Sequence, residues 1–330
     1  MSVAHEQEVQ LPPAPPAPQR KPRPTKLLVV AIGLFVVGLI LAIGGIARFL
    51  PGATFPGILF VLWALVMGGL SFVPLPQVES TEEPLSTAQR LAGIFFEPTR
   101  VFRNLRVHPR WVAAFIIIAV LSVAYSYAFV RRVTPERIVN FTSDKLAESG
   151  FMPPQAVEQQ RQIQLAEAKN PVNQVMQLFS AVVVIFLKYA ALAGLVLLGV
   201  LAFGGRMNFW QAFAAVIYAV LPWVVIQKIL SMGLLYLKSP DDIHPILNQE
   251  TLVQDNLGIL VSPAEHPVIF VLLSVIGVLW IYWTWLFAKG IQNTGTKVSG
   301  SAAWGVTITL TVLMVIAGVI MASLFGSWMA

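Results

Sequence analysis

Seven long apolar runs, almost free of charged side chains, constrain the fold of this 330-residue sequence more than any other feature. A helix needs about 20 apolar residues to cross a hydrocarbon core of about 30 Å. Of the 22 basic and 16 acidic residues, only Lys188 and Lys228 fall inside these runs. Backbone N–H and C=O groups in lipid must be satisfied within the segment, so each run is predicted to be a transmembrane helix. The predicted spans are 27–47, 55–73, 111–130, 181–203, 210–237, 267–288 and 303–325.

The overall composition also indicates a membrane protein. Charged residues make up 12% of the chain, against about 25% in soluble domains. The mean hydropathy is +0.73, and the chain has no cysteine. These values exclude a water-soluble enzyme, a disordered regulator and a disulfide scaffold. In such a chain, the net charge of +6 carries information on the orientation in the membrane and does not indicate nucleic-acid binding. The predicted fold class is an all-α integral membrane protein, a helical bundle of about seven transmembrane helices.

The distribution of Lys and Arg between the spans predicts the orientation. One set of connecting segments holds 12 basic residues and the other holds 8. Positive charge concentrates on the cytoplasmic side of a membrane, so we expect a cytoplasmic N-terminus and a C-terminus outside.

Composition shifts divide the chain into four parts. Residues 1–26 are rich in proline and end in a basic run, which predicts a disordered tail. Residues 27–73 form a two-helix transmembrane hairpin, residues 74–90 a polar linker, and residues 91–330 the main five-helix domain. Within that domain, residues 131–174 predict two short amphipathic helices rather than a loop. Thr134 is placed to cap the first, and Gly150 to end it.

Three residues of the spans are candidates for a functional or lipid-contacting site: Lys188, Lys228 and Pro222. A charge near the bilayer centre costs about 2.5–3.5 kcal/mol on insertion scales, and usually faces the bundle interior or snorkels to the surface. A lysine paired with backbone carbonyls and a site for an anionic lipid or substrate are both compatible with Lys228. Pro222 marks either an ordinary kink or a broken helix lining a substrate site.

Two other patterns predict packing. Gly318, Ala322 and Gly326 recur every four residues, which suits close packing between helices of this chain or of another membrane protein. Trp111 and Trp210 lie at span ends, where interfacial anchors are expected.

Motifs for catalysis are missing. Asp241, Asp242 and His244 lie close together in one connecting segment, but the spacing matches no zinc motif. We interpret them as part of a solvated acidic loop. The sequence therefore predicts no catalytic residue, no cofactor and no metal site.

Two blocks carry a resemblance to a known family. IFFEPTRVFRNL at 94–105 leads through His108 and Trp111 into the third span. GGRMNFWQAF at 204–213 leads into Tyr218 and Pro222 of a Tyr-x-x-x-Pro pattern. Together they resemble the bacterial branch of the Yip1 domain family over about residues 91–325.

The resemblance implies a five-helix membrane domain in a bacterial cytoplasmic membrane. The eukaryotic relatives are linked to vesicle trafficking and to small prenylated GTPases, but their cytoplasmic motif rich in Asp, Leu, Ala, Gly and Pro is not recognisable here, so a GTPase partner is not carried over.

These observations favour a non-enzymatic, membrane-organising or scaffold factor. Its expected partners are membrane lipids and other membrane proteins or further copies of the chain, with no nucleic acid. The alternative is a small-solute transporter or channel with a site near Pro222 and Lys228.

Overall fold

A computed structural model describes residues 25–47, 49, 53–73 and 83–326, which form twelve α-helices and two short 3₁₀ turns. The predicted tail at 1–26 lies outside these residues except for its last two positions, and the predicted linker at 74–90 is described only over residues 83–90. The helices are α1 (Thr25–Ile46), α2 (Thr54–Ser71), α3 (Thr87–Phe96), α4 (Pro98–Val107), α5 (Val112–Val133), α6 (Pro135–Ser149), α7 (Pro154–Lys169), α8 (Pro171–Ala202), α9 (Phe209–Leu237), α10 (Pro267–Ser274), α11 (Val278–Thr294) and α12 (Gly300–Phe325).

Six helices are long and apolar enough to cross a membrane: α1, α2, α5, α8, α9 and α12. They match six of the seven predicted spans and confirm the predicted all-α membrane bundle.

The prediction of one continuous span at 267–288 is wrong. The helix stops at Ser274 and restarts at Val278, so this part of the chain forms a broken pair, α10 and α11. The segment before α10 satisfies the backbone groups that the break releases. The N–H of Leu257 donates to the carbonyl of Ile276 at 3.0 Å, and Asp255 Oδ2 accepts from the N–H of Leu279 at 2.7 Å. Interrupted helices persist at membrane depth only with such partners.

Helix α9 is the centre of the bundle. Of its spanning window 72% is buried, whereas the other five candidate spans are 11–39% buried. Helices α5, α8 and α11 pack around it. Alanines at 212, 214, 215 and 219 are fully buried, and their small side chains let the neighbouring helices approach closely.

The N-terminal hairpin packs on this bundle through α8. Within the hairpin, Gly57 lies directly against the backbone of Ala42, where a Cβ would come within 2.3 Å of the Ala42 nitrogen. The outer face of α2 then meets α8, where the rings of Trp63 and Phe186 are 5.7 Å apart.

The two amphipathic helices predicted between α5 and α8 are confirmed as α6 and α7. Thr134 adopts φ +73°, and its Oγ1 accepts from the N–H of Arg137 at 3.4 Å. Gly150 ends α6 in the left-handed conformation at φ +69°, which glycine adopts without steric cost. An ion pair between Arg161 and Asp144 joins the two helices.

The bundle has two distinct ends. The end that carries α3 and α4, with the turns at 203–208 and 295–299, is called the α4 face below. The opposite end carries α6, α7 and the segment 238–266, and is called the loop face.

Candidate functional site

On the α4 face, a buried arginine joins the segment before the first sequence block to the helix that contains the end of the second. Arg90 is 3% exposed, and its Nε donates to the hydroxyl of Tyr218 at 3.3 Å. Its other nitrogens donate to the Leu85 carbonyl and the Thr87 hydroxyl. The Tyr218 hydroxyl donates in turn to the carbonyl of Arg110 at 3.4 Å. A buried guanidinium satisfied by neutral oxygens therefore ties α3 to α9, although sequence reasoning had placed Arg90 in the linker.

Helix α4 is bonded to two central helices. The Nε2 of Gln211 donates to the carbonyl of Arg106 at 2.7 Å, and Arg106 Nε donates to the carbonyl of Asn293 at 3.0 Å. The Thr294 hydroxyl donates to the carbonyl of Phe102 at 3.4 Å. These bonds fix the α3–α4 segment on α9 and α11.

Local capping explains why these helices begin where they do. Ser86 and Gln89 form a reciprocal capping box at the start of α3, and Asn208 and Gln211 form another at the start of α9. Pro98 occupies the first position of α4, where the lack of an N–H has no cost. Gln211 thus caps its own helix through Oε1 while its Nε2 holds α4.

The predicted interfacial tryptophans belong instead to an aromatic cluster inside this junction. The rings of Trp111 and Trp210 stack at 6.2 Å with an interplanar angle of 6°. Phe213 packs edge-on against Trp111 at 4.9 Å. Trp210 is 2% exposed, and its Nε1 donates to the carbonyl of Val73 at the end of α2. The burial of Trp210 shows that its expected role as an anchor in the headgroup layer is wrong, whereas for Trp111 that role stays a prediction.

Lys228 lies in a second polar cluster, nearer the loop face. It is 8% exposed, and its ammonium donates to the backbone carbonyl of Glu250. The same ammonium lies 4.7 Å from the centre of the Tyr125 ring, within the range of a cation–π contact. Next to it, Ser231 accepts from the N–H of Leu252 at 3.0 Å. The segment 248–252 therefore folds back into the bundle and supplies the partners of Lys228.

Lys188 has a different setting. It is exposed on α8, and its Nζ lies 6.0 Å from the centre of the Tyr189 ring. The two intramembrane lysines therefore differ in burial: Lys228 is enclosed in the bundle, and Lys188 lies on the surface of α8.

Pro222 is buried in α9, which continues through it as one helix from Phe209 to Leu237. The broken helix of this fold lies instead at residues 275–277, between α10 and α11.

The small-residue stripe on α12 lies against α10 of the same chain. A Cβ on Gly318 would be 3.0 Å from Val271, and one on Gly326 would be 2.8 Å from Pro267. Ala322 is 1% exposed. This part of the α12 surface is thus covered from within the chain.

His244, in the predicted acidic loop, makes hydrogen bonds and a ring contact within the protein. His244 Nδ1 accepts from the N–H groups of Ile246 and Leu247, both at 3.1 Å, and its ring packs edge-on against Phe141 at 5.0 Å. Asp241 and Asp242 are exposed. Among the described residues, no group of three or more His, Asp or Glu side chains is placed to hold a metal ion.

Sequence reasoning missed Asp255 and Glu250. Both lie in a segment that looks like solvated loop, yet Asp255 caps the start of α11 and Glu250 meets Lys228. Gly277, inside the apolar run, is the only local signal of the break, since glycine weakens a helix interior.

Comparison with known families decides the membership of this chain. A family model described as the Yip1 domain matches residues 92–321. The chain belongs to the Yip1 domain family. The matched region contains both sequence blocks and most of the junction between α3, α4, α9 and α11. Comparison with curated proteins and with solved structures finds no match.

Family membership and the long apolar helices together establish a polytopic integral membrane protein. The Yip1 domain begins in α3 and ends in α12, so the α1–α2 hairpin lies before it.

Proposed function

We propose that this Yip1-domain protein is a non-enzymatic membrane-organising or scaffold factor that presents the α3–α4 segment as a fixed platform. The observation that carries the proposal is the bonding of this segment to α9 and α11. Arg90 reaches Tyr218 and Arg106 reaches Asn293, so the platform cannot move without opening the centre of the bundle.

The outer surface of the platform has features that suit a protein partner. Phe96 is 84% exposed, at the rim of a cavity of about 250 Å³ between α3 and α4. Arg100 lies at the same rim and pairs with Glu97 at 3.0 Å. Aromatic side chains, Phe included, and arginine are each enriched in protein–protein interfaces relative to the rest of the surface. Since α10 covers the α12 stripe, we propose this surface for contact with another membrane protein or a further copy of the chain.

The bundle interior supports a structural role over an enzymatic one. The buried polar groups of the α4 face, including Arg90, Gln211 and Tyr218, are bonded to one another or to backbone carbonyls. Buried polar groups used this way stabilise a unique packing.

The transporter alternative is not favoured. Lys228 is enclosed by the Glu250 carbonyl and the Tyr125 ring, and α9 occupies the bundle axis as an unbroken helix through Pro222. A flux assay with a panel of ions and small solutes, in vesicles carrying the purified protein, tests this alternative. Flux that Lys228→Met lowers would support transport.

The orientation and location are part of the proposal. The α4 face is assigned to the cytoplasm of a bacterial cell and the loop face to the outside. The charge count between the spans supports this assignment.

Photo-crosslinking in intact cells tests the platform. Benzoylphenylalanine replaces Phe96 in one variant and Phe151 in a matched control; Phe151 is 72% exposed but lies at the loop face. We expect one or two discrete protein adducts from position 96 and none of the same mass from position 151. Absence of any protein adduct at position 96, with normal expression and insertion, would overturn the platform.

A further inference from the structure

A groove runs along the seam between α5 and α8 and opens to the side of the bundle. Its lower part is an apolar cavity of about 460 Å³, lined on α5 by Val120, Val123 and Ala124 and on α8 by Val182. Val120 is 59% exposed, so the cavity faces the surroundings of the bundle rather than its core.

A second cavity of about 320 Å³ continues the groove towards the loop face. Tyr127 and Leu178 line both cavities, so the two adjoin along the same seam. The upper cavity is more polar than the lower one, with Ser126, Arg131 and Gln177 in its wall, and residues of α6 and α7 line it as well.

Packing explains why the seam stays open. Near the α4 face, α5 and α8 are held together by Phe115 and Phe186, whose rings meet edge-on at 5.7 Å. Further along, α5 presents the small side chains of Ala119 and Ala124 to the seam, which leave the space between the helices unfilled.

The length of the groove matches one leaflet of a bilayer. From Ala119 to Tyr127 the helix rises about 12 Å, and it rises about 6 Å more to Arg131. The total of about 18 Å slightly exceeds half of a hydrocarbon core of about 30 Å. Arg131 lies two residues before the end of α5 at Val133, and therefore near the level of the headgroups.

The end of the groove towards the loop face carries a positive charge that has no ion-pair partner among the described residues. Arg131 is exposed, and its guanidinium has no hydrogen bond or ion pair within the part of the chain that the structure describes. The one acid in the cavity wall, Glu136, faces Lys169 at 3.9 Å. A guanidinium offers paired N–H donors that match a phosphate group.

We propose that this groove binds a membrane phospholipid with an anionic headgroup. Its phosphate is held by Arg131, and one acyl chain lies in the apolar cavity between α5 and α8. The occupant is argued from three matched features: an apolar channel, its length of about one leaflet, and a free arginine at the headgroup end. This site is independent of the platform at the α4 face.

Native mass spectrometry of the full chain in mild detergent tests the site, with phosphatidylglycerol and phosphatidylcholine as probes. We expect one phosphatidylglycerol retained per chain in preference to phosphatidylcholine. Arg131→Gln should lower its retention about tenfold, which corresponds to about 1.4 kcal/mol. Ala124→Leu adds bulk to the exposed apolar cavity and should displace the acyl chain, again lowering retention of this lipid.

Lys238→Gln is the matched control, because Lys238 is exposed at the same end but lies outside the groove. It should leave retention unchanged. Equal losses from Arg131→Gln and Lys238→Gln would show only general charge attraction and overturn the site. The site would also be overturned if the chain formed a dimer and Ala124→Leu dissociated that dimer, because the groove would then be a protein interface.

Discussion

Arg90 and Tyr218 are 128 residues apart in the sequence, and the Nε of Arg90 donates to the Tyr218 hydroxyl at 3.3 Å. The bond connects the segment that precedes the third predicted span with the middle of the central helix. The tyrosine of the Tyr-x-x-x-Pro pattern therefore accepts a hydrogen bond from a guanidinium that is buried in the bundle.

Removing that hydroxyl should destabilise the domain. Tyr218→Phe leaves a buried charged donor without its partner, which we expect to lower the free energy of unfolding by about 1–3 kcal/mol. Unfolding in a graded mixture of mild and denaturing detergent measures the change. Tyr236→Phe is the control, since Tyr236 lies on the same helix but is 61% exposed. Equal stability of the two variants would show that the bond contributes nothing.

The carboxylate of Asp255 should hold the start of α11 closed. Asp255→Ala removes the acceptor of the Leu279 N–H, at a cost of about 0.5–2 kcal/mol by analogy with helix caps. Hydrogen exchange of residues 278–282 should accelerate about tenfold. Asp242→Ala, which removes an exposed acid of the same connecting segment, should leave that exchange rate as it is. A matching acceleration in both variants would assign the effect to lost negative charge rather than to capping.

Lys228 should tether the inward-folded segment. In Lys228→Met the carbonyl of Glu250 loses its donor, so cleavage after Glu250 by a glutamate-specific protease should rise several-fold. Lys188→Met should leave the cleavage rate unchanged, because Lys188 is exposed and its nearest described contact is the Tyr189 ring. If both substitutions protect or expose Glu250 alike, the tether is not at Lys228.

Single cysteines should report the orientation cleanly, because the chain has no native thiol. Ser262 lies at the loop face and Ser301 at the α4 face, and both are exposed. In intact cells an impermeant maleimide should label Ser262→Cys at once. It should label Ser301→Cys only after the membrane is opened. The reverse pattern would invert the proposed topology while leaving the fold untouched.

Local patterns made most of the helices predictable. An apolar run of sufficient length has one stable form in lipid, so α1, α2, α5, α8, α9 and α12 follow from hydropathy alone. The ends of α6 followed from Thr134 and Gly150, because capping is a property of a few adjacent residues.

Features that depend on distant residues were not predictable. The break at 275–277 is stable only because Asp255 and Leu257 supply its missing partners, which no window of apolar residues reveals. The partner of Lys228 is a backbone carbonyl, and every residue carries one. Trp210 has the residue type and the position of an interfacial anchor. Only its packing on Trp111 shows that it belongs to the core of the bundle.

The bond from Arg106 to the carbonyl of Asn293 crosses 187 residues, and it sets an order of events during synthesis. When α4 leaves the ribosome, the helix that will receive its guanidinium has not yet been made. Until α11 is inserted, the surface segment can be bonded to α9, through Gln211, but not yet to α11. A chain cut short before α11 lacks the acceptor of the Arg106 guanidinium, so only the contacts of the segment with α9 remain.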